Sequence, residues 1–347
     1  MLPRKNRMKQ HDNGKFFPLG KLDPDFLEKL LGSLPQDGRV IVGPKIGEDA
    51  AVLDFGEKYL VVKTDPITFT FENIGWYVVN INANDIACMG ATPRWFLPTL
   101  LLPQQGTSKE LIKTIFDQMK SACQKLGISL IGGHTEVTFN LDRPIAVGQM
   151  IGEVARERLV RGSGAKAGDA VLLTKGVAIE GTHVIYQKKK KELKRRVAPD
   201  TLKKLSRLLY QPGISVVKEA LLATRSCEVH CMHDPTEGGL RTGLWELAYA
   251  SGTGIRIEKE RIPVLPETET ICKFYGLDPL GLLASGALIL TLSPSEGERL
   301  IEIYQRKGIK CSLIGKVVPR KLGLKILEKR KESDLGGVCR DEMNKVL

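Results

Sequence analysis

The chain has 347 residues, with 52 lysines and arginines against 40 aspartates and glutamates, and therefore a formal net charge of +12. A content of 42% hydrophobic and 27% charged residues is typical of a globular protein and excludes a disordered chain. No apolar segment follows the basic first nine residues and no run reaches 18 apolar residues, so we expect a cytoplasmic protein without a secretory signal or a membrane span. Seven scattered cysteines indicate reduced thiols.

Two segments carry most of the positive charge. Residues 1–9 hold four basic side chains, and residues 188–196 hold seven basic side chains and one glutamate. The rest of the chain is close to neutral, so nucleic-acid binding is not expected. The lysine-rich insertion 188–196 is predicted to be a solvated loop or helix face, with binding of RNA, an acidic substrate or a partner as the alternative.

The first half of the chain predicts a flexible basic arm over residues 1–20 and an N-terminal α+β domain over 21–157. Helices are predicted over 22–34, ending near Gly32, over 73–91, and from a capping box of Thr107 and Glu110 to Gly127. Strands are predicted over 39–43, 50–55, 58–65, 128–133 and 144–152.

The second half predicts a mixed α/β domain over residues 158–347. The basic, glycine-rich segment 156–169 separates it from the first half. Strands and helices then alternate, which is typical of an α/β arrangement. Strands are predicted over 170–175, 228–232, 254–258, 287–292 and 310–317, and helices over 200–210, 215–225, 239–251, 268–275 and 295–307.

A window without basic residues is the most informative local feature. Residues 64–93 contain no lysine or arginine, so Asp65, Glu72 and Asp85 have no counter-ion within it. Carboxylates grouped with amides such as Asn84 suit Mg²⁺ shared with substrate phosphates. The alternative is that these side chains cap strands and helices.

Three glycine-rich turns lie beside predicted strands: the first precedes a strand, the second and third follow strands, and the third also opens a helix. They read GEDAAVL around Asp49, GGHTE from Gly132 to Glu136, and DPTEGGL from Asp234. A strand, a turn of small residues and a helix N-terminus form a natural phosphate site. Neither a Walker P-loop nor a Rossmann fingerprint occurs, and any one of these motifs alone is more simply a turn.

Taken together and in order, GEDAAVL, KTD, NANDIACMGA, GGHT, GAKAGD and DPTEGGL resemble the aminoimidazole-ribonucleotide synthetase (PurM-like) superfamily, over about residues 20–320. DPTEGGL and LDPLGLLASGALIL are most similar to its HypE branch, the hydrogenase expression/formation proteins. The resemblance implies two domains, a β-barrel formed by N-terminal strands of two subunits in a homodimer, and ATP with Mg²⁺ at the dimer interface.

The resemblance also implies the site residues. The four acids that match magnesium ligands are Asp49, Asp65, Asp85 and Asp234. Two of them, Asp65 and Asp85, are also the expected catalytic acids. Further positions around the nucleotide are Thr64, Asn84, Gly132, Gly133, His134, Thr135, Thr236, Glu237 and Gly238. His134 departs from the pattern, which often has an acid here, and imidazole makes a poorer Mg²⁺ ligand.

The implied activity is transfer of the ATP γ-phosphoryl group to an amide or carbamoyl oxygen of a small molecule or a partner protein. The alternatives are a small-molecule kinase similar to thiamine-monophosphate kinase and a non-catalytic nucleotide-binding scaffold. HypE-type proteins modify their own C-terminal cysteine, whereas Cys339 is not the final residue here, so self-modification is not the expected reaction.

Two further groups of residues are interpreted as structural. Cys227, His230, Cys231 and His233 are dense enough to suggest zinc, but a strand directs neighbouring side chains to opposite faces, so we expect buried or cleft-facing strand residues. His183 is predicted to lie at the surface, with substrate contact as the alternative.

Overall fold

The computed structural model describes residues 20–32, 34, 35, 37–338 and 340–347. The predicted arm lies outside these residues except for residue 20, and Cys339 lies outside them too. Two seven-stranded sheets form the framework, one over residues 40–155 and the other over 170–334. We propose the domain boundary in the interval between them.

The first sheet is mainly antiparallel. Its strands follow the order β1-β2-β3-β7-β4-β5, and β6 also pairs with β4. Only the pairs of β4 with β5 and with β6 are parallel. The strands are β1 (Val40–Val42), β2 (Ala51–Asp54), β3 (Lys58–Ile67), β4 (Thr92–Pro103), β5 (Ser129–Leu130), β6 (His134–Thr138) and β7 (Ile145–Ala155).

Helix α2 (Ile74–Cys88) is the central element of the molecule, because all fifteen of its residues are buried. A helix that is apolar around most of its circumference is stable only when it is enclosed. It packs against β3, β7 and α3 (Lys109–Leu126) of the first half and against α7 (Val217–Ser226) of the second. Its polar residues therefore lie inside the protein.

The second sheet has the order β14-β13-β10-β12-β8-β11-β9 and is antiparallel except for the pair β10 and β13. The sheet brings the end of β9, with His233, into the interior. Its strands are β8 (Ala170–Thr174), β9 (Cys231–His233), β10 (Gly254–Glu258), β11 (Ile289–Leu292), β12 (Cys311–Val318), β13 (Leu324–Glu328) and β14 (Lys331–Asp334).

The remaining α-helices surround the two sheets. They are α1 (Pro24–Leu31), α4 (Ile179–Lys188), α5 (Lys190–Leu193), α6 (Pro199–Arg207), α8 (Gly239–Ser251), α9 (Pro266–Tyr275) and α10 (Pro294–Arg306). The insertion 188–196 covers the end of α4 and the short helix α5, and it is exposed apart from Leu193 and partly buried neighbours. This exposure agrees with the predicted solvated loop or helix face.

Hydrogen bonds from single side chains tie the two halves together. The amide of Asn84 on α2 donates to the carbonyl of Ile214 at 2.9 Å and accepts from the N–H of Val216 at 2.8 Å. The carboxylate of Glu48 accepts from the N–H groups of Gly162 and Ser163, at 2.8 and 3.2 Å. Glu48 thereby anchors the segment that leads into the second half.

The structure differs from the predicted elements at a few positions. Ser108, not Thr107, caps α3, because its hydroxyl accepts from the N–H of Leu111 while Thr107 donates to the carbonyl of Pro103. The chain continues after the predicted turn at Gly133 as strand β6. Strands β4, β13 and β14 and helices α4 and α5 were not predicted.

Candidate active site

A polar cleft lies between the two halves of the molecule. It encloses about 130 Å³ at the point where β3, α2 and the end of β9 approach one another. Six carboxylates line it, together with two lysines and one histidine, so it carries more acidic than basic groups. The lining residues are Lys21, Gly47, Glu48, Asp49, Lys63, Asp65, Asp85, His233, Asp234, Thr236 and Glu246.

The four predicted magnesium acids meet in this cleft, although they are far apart in sequence. Asp49 precedes β2, Asp65 lies on β3, Asp85 lies on α2 and Asp234 follows β9. Asp49, Asp85 and Asp234 are buried, whereas the side chain of Asp65 is one-third exposed. Among the nucleotide-site predictions, Thr236 also lines the cleft.

Lys63 supplies the counter-ion that the sequence window lacked. Its ammonium group lies 3.5 Å from Oδ2 of Asp65 and 3.5 Å from Oδ2 of Asp85. The window itself contains no counter-ion, but Lys63 stands one residue before it and shares a strand face with Asp65. The position of Lys63 can be read from the sequence, but its contact with Asp85 on α2 cannot.

The pKa values of Lys63 and Asp85 reflect the surplus of carboxylates in this cluster. Burial alone lowers the pKa of Lys63, but Asp85 and Asp65, with smaller effects of Asp49 and Asp234, raise it above its usual value. Burial raises the pKa of Asp85 well above its usual range although Lys63 opposes this shift. One ammonium group therefore does not neutralise the cluster.

Asn82 fixes the position of Asp65. Its side-chain oxygen accepts from the N–H of Asp65 at 2.8 Å, and its amide nitrogen lies 3.2 Å from the carbonyl oxygen of Asp65. This pair of bonds joins α2 to β3 directly beside the cleft. The sequence analysis did not identify Asn82 as a site residue. The one sequence feature that points to it is the repeat of asparagine on α2 at positions 80, 82 and 84.

A chain of charged groups continues from Asp49 to the surface. Nδ1 of His233 lies 2.7 Å from Oδ1 of Asp49, and Nε2 lies 3.1 Å from Oε2 of Glu246. Lys21 contacts the other oxygen of Glu246 at 3.0 Å. Burial opposes the charge on His233, but Asp49 and Glu246 outweigh it and raise the pKa of His233 well above its usual value. The imidazolium thus neutralises part of the acid surplus.

Three buried carboxylate oxygens of the cleft have no hydrogen-bond partner within the described part of the chain. They are Oδ2 of Asp49, of Asp85 and of Asp234, although Oδ2 of Asp85 keeps its ion-pair contact with Lys63. Burial and the charge of Asp49 raise the pKa of Asp234. Buried carboxylate oxygens without partners are costly unless a cation balances them. The donor set therefore fits a divalent metal ion bound by oxygen ligands.

The N–H of Gly238, the residue before α8, is already bonded to a carboxylate of the chain. Oδ2 of Asp341 accepts from the N–H of Gly238 at 2.8 Å, and its other oxygen accepts from Leu283 and Met343. The glycine turn at Gly238 was expected to hold phosphate, but the structure places Asp341 there. Glu237 beside it is half-buried and does not line the cleft.

The remaining nucleotide-site predictions lie away from the cleft lining. Asn84 is held by the backbone at residues 214 and 216, and Thr64 stands on β3 without facing the cleft. Four of these predicted residues are exposed: Gly132, Gly133, His134 and Thr135. His134 contacts Glu136 at 3.1 Å rather than any of the four acids.

His183 and the Cys/His strand do not form a zinc site among the described residues. The prediction that His183 lies at the surface is wrong: it is buried and its Nδ1 contacts the hydroxyl of Tyr77 at 2.8 Å. Its position after a turn gave no sign of this burial. His230 contacts Asp169 while His233 contacts Asp49, so these histidines do not converge on one zinc ion.

Comparison with known proteins places the chain in a family. The family described as "AIR synthase related protein, N-terminal domain" matches residues 47–154, and "AIR synthase related protein, C-terminal domain" matches residues 166–326. The chain belongs to the AIR synthase related family. Asp49, Asp65 and Asp85 come from the N-terminal family domain and His233, Asp234 and Thr236 from the C-terminal one, so the cleft joins both.

Relatives within the AIR synthase related family include hydrogenase maturation proteins. The chain is 28% identical over 285 residues to a putative hydrogenase expression/formation protein of Methanocaldococcus jannaschii, covering 79% of this chain and 80% of the relative. It is 28% identical over 286 residues to the carbamoyl dehydratase HypE of Rhizobium leguminosarum bv. viciae, covering 79% and 78%.

Solved structures show the same two-domain fold. A HypE–HypF complex matches with a TM-score of 0.67 and 27% identity, over 84% of this chain and 93% of that one. HypE in complex with ATP matches with a TM-score of 0.68 and 24% identity, over 86% and 90%, and this likeness concerns the fold alone. No helix in the described part of the chain has the length and apolar character needed to cross a membrane.

Proposed function

We propose that this chain is a HypE-like enzyme that binds Mg-ATP and transfers the γ-phosphoryl group to an amide or carbamoyl oxygen. The observation that carries the proposal is the set of three buried carboxylate oxygens without hydrogen bonds on Asp49, Asp85 and Asp234. They lie in a cleft between the two family domains, and relatives of this chain are named carbamoyl dehydratases. The choice of ATP as the nucleotide rests on the resemblance of the sequence motifs to the PurM-like superfamily.

The residues of the cleft would bind and orient the nucleotide. When bound, Mg²⁺ supplies positive charge that neutralises phosphate oxygens during phosphoryl transfer. Asp49, Asp85 and Asp234 would hold the metal. Lys63 balances Asp65 and Asp85, and Asn82 fixes the strand that carries Asp65, so these groups keep their positions before the nucleotide arrives. Such preorganisation lowers the barrier because little rearrangement is needed during the reaction.

The proposed reaction converts a carboxamide oxygen into a leaving group. The bond between the β–γ bridging oxygen and the γ-phosphorus breaks, a bond from the amide oxygen to phosphorus forms, and ADP leaves. Loss of the phosphorylated oxygen as inorganic phosphate, with protons from the amide nitrogen, then yields a nitrile. The net result is hydrolysis of ATP coupled to removal of water from the amide.

We also propose that the protein is a cytoplasmic homodimer. Strands β5 and β6 and the residues around them expose four large apolar side chains: Leu130, Ile131, Val137 and Phe139. Clustered exposed apolar residues on a sheet edge are typical of an interface. Residues 132–135 belong to the same exposed surface.

The acceptor would be a small molecule or a partner protein. In one solved relative HypE is bound to HypF, which supports a protein partner. Asp341 and Met343 anchor the residues after position 340, because Asp341 accepts from the N–H of Gly238 and Met343 is fully buried. We therefore do not place the acceptor on Cys339.

Product analysis tests the reaction class. The protein is incubated with Mg-ATP and an S-carbamoyl cysteine peptide, and parallel reactions contain thiamine monophosphate. Phosphorus NMR should show inorganic phosphate and ADP, and mass spectrometry should show loss of water from the peptide. A stable phosphorylated product with thiamine monophosphate would instead indicate a kinase. ATP binding without turnover in either reaction would support a scaffold.

A further inference from the structure

A basic surface lies where the two halves of the molecule meet at the N-terminal end of α2. Tyr210 of the second half packs edge-on against Trp76 of α2, with ring centroids 4.8 Å apart, and its hydroxyl donates to Asn73 at 3.3 Å. Trp76 precedes Asp85 by about 14 Å along the helix axis, so this surface is separate from the acidic cleft. Its residues, here called the basic seam, are Phe71, Trp76, Lys125, Tyr210 and the insertion 188–196.

Aromatic rings position two lysines of the basic seam. The ammonium group of Lys188 lies 5.3 Å from the ring centroid of Phe71, so this contact joins the second half to the first. The ammonium group of Lys125 lies 5.3 Å from the ring centroid of Trp76. Such cation–π contacts place a positive charge without neutralising it. The basic seam therefore presents cations at defined positions.

The insertion keeps most of its charge available to a partner. Of its seven basic side chains, only Arg196 has a recorded ion pair within the described part of the chain, at 3.9 Å from Glu192. Lys188, Lys190 and Lys191 are exposed. Clustered like charges repel one another, and a partner of opposite charge relieves this repulsion and associates faster. The partner that fits this surface is therefore acidic.

An unpaired indole N–H lies beneath the basic seam. Nε1 of Trp76 is buried without a hydrogen-bond partner among the described residues, and the residue as a whole is 7% exposed. The Tyr210 side that packs against it is 45% exposed, so this ring can move outwards into solvent. A buried donor without an acceptor is costly. A ligand that displaces Tyr210 and offers a carbonyl oxygen to Trp76 would remove this cost.

The unpaired groups favour a peptide over a nucleic acid as the ligand. Oε2 of Glu72, beside the basic seam, is also buried and has no hydrogen bond among the described residues, and Glu192 lies within the insertion. Both carboxylates repel phosphate groups, whereas a peptide backbone supplies N–H donors as well as carbonyl acceptors. We propose that the basic seam is the docking site for an acidic segment of a partner protein. Carboxylates of that segment bind lysines of the insertion, and a backbone carbonyl accepts from Trp76.

Fluorescence anisotropy with a fluorescein-labelled, glutamate-rich peptide tests the docking site without nucleotide. The wild-type protein should bind this peptide, more weakly at higher salt, and should not bind the same peptide with glutamines in place of the glutamates. A double variant, Lys188→Glu with Lys190→Glu, should weaken binding by about tenfold or more because it reverses two charges of the basic seam. Lys113→Glu with Lys321→Glu makes the same change in net charge at exposed positions outside the basic seam and should bind as the wild type does.

A second measurement does not depend on the charge variants. In wild-type protein labelled with nitrogen-15 at tryptophan, NMR should show that the Nε1–H signal of Trp76 shifts when the peptide is added. The signals of Trp95 on β4 and Trp245 on α8 should not shift. Trp76→Phe serves to assign the signal.

Four outcomes would overturn the inference. They are no binding of the glutamate-rich peptide to the wild-type protein, equal affinity of the two double variants, binding without a shift at Trp76, and tighter binding of an oligouridylate RNA than of the peptide. The inference goes beyond the proposed function and does not depend on it. If the peptide binds as expected but Mg-ATP does not bind, the proposed function fails and the docking site stands.

Discussion

The ammonium group of Lys63 on β3 lies 3.5 Å from the carboxylate of Asp85 on α2. The same group contacts Asp65 at 3.5 Å, so one lysine balances two of the four acids expected to bind metal. Asp85 is buried and Lys63 is partly buried, so the charge on Asp85 is poorly solvated and depends on Lys63. Lys63 therefore acts as a fixed internal cation of the cleft.

Replacing Lys63 tests this role. Lys63→Met should lower the free energy of unfolding by about 2–4 kcal/mol in the absence of divalent cations, because the buried acids lose their counter-ion. Mg²⁺ should restore part of the loss, so the rise in Tm on adding Mg²⁺ should be larger than in the wild type. Lys58→Met on the same strand changes an exposed ion pair and should have little effect. Equal Mg²⁺ responses in both variants would contradict the role of Lys63.

Asp341 should stabilise the turn that precedes α8. Asp341→Ala removes the acceptor of three backbone N–H groups, of Gly238, Leu283 and Met343, and should cost about 1–3 kcal/mol in chemical denaturation. Asp334→Ala provides the control, because that side chain is 78% exposed. A similar loss in the free energy of unfolding for the two variants would show that the hydrogen bonds of Asp341 do not stabilise the protein.

His183 should make stability depend on pH. Burial lowers the pKa of His183 to about 4 from an ordinary value of 6.5. Between these values the unfolded chain binds more protons at this site, so the free energy of unfolding rises with pH, by about 3 kcal/mol at most. The stabilisation is complete above pH 6.5 and is lost as pH falls towards 4.

The difference between wild type and His183→Gln isolates this contribution. Unfolding measured from pH 4 to pH 7 should be less dependent on pH in the variant. His134→Gln, at an exposed position on β6, should keep the wild-type slope. A wild-type slope in His183→Gln would show that the imidazole does not titrate in this window.

The exposed apolar residues beside β6 should hold two subunits together. A double variant, Val137→Glu with Phe139→Glu, places charges at positions that are 54% and 75% exposed and should leave the subunit folded. Sedimentation should give the mass of one 38.3 kDa chain for this variant and twice that mass for the wild type. Leu322→Glu, at an exposed position in the second half, should stay dimeric. A monomeric wild type would refute the dimer.

Much of the fold could be predicted because its strongest signals are local. Gly127 ends α3 in a left-handed conformation, and α8 and β10 begin and end where the sequence pattern places them. Strand β6 was missed because its residues are almost all exposed and show no apolar alternation. Ser108 and Thr107 are equivalent as capping residues by type, so only the structure separates them.

The site was less predictable because long-range contacts decide it. The four acids could be found from their motifs, and they do meet. The partners of these acids could not be predicted, because they lie far away in sequence from the acids they contact. These partners are Lys63, Asn82, Cys88 and His233. The turn at Gly238 has the pattern of a phosphate site, yet Asp341 from the end of the chain occupies it. Local sequence cannot show which distant group satisfies a helix terminus.

Calorimetric titration with ATP, with and without Mg²⁺, tests the central claim most directly. The wild type should bind ATP in a Mg²⁺-dependent way, and Asp85→Asn should weaken binding at least tenfold, or about 1.4 kcal/mol, because a buried acid of the cleft is removed. Asp142→Asn, at a side chain that is 84% exposed, should bind as the wild type does. Absence of Mg-ATP binding by the wild type, or unchanged affinity in Asp85→Asn, would contradict the account.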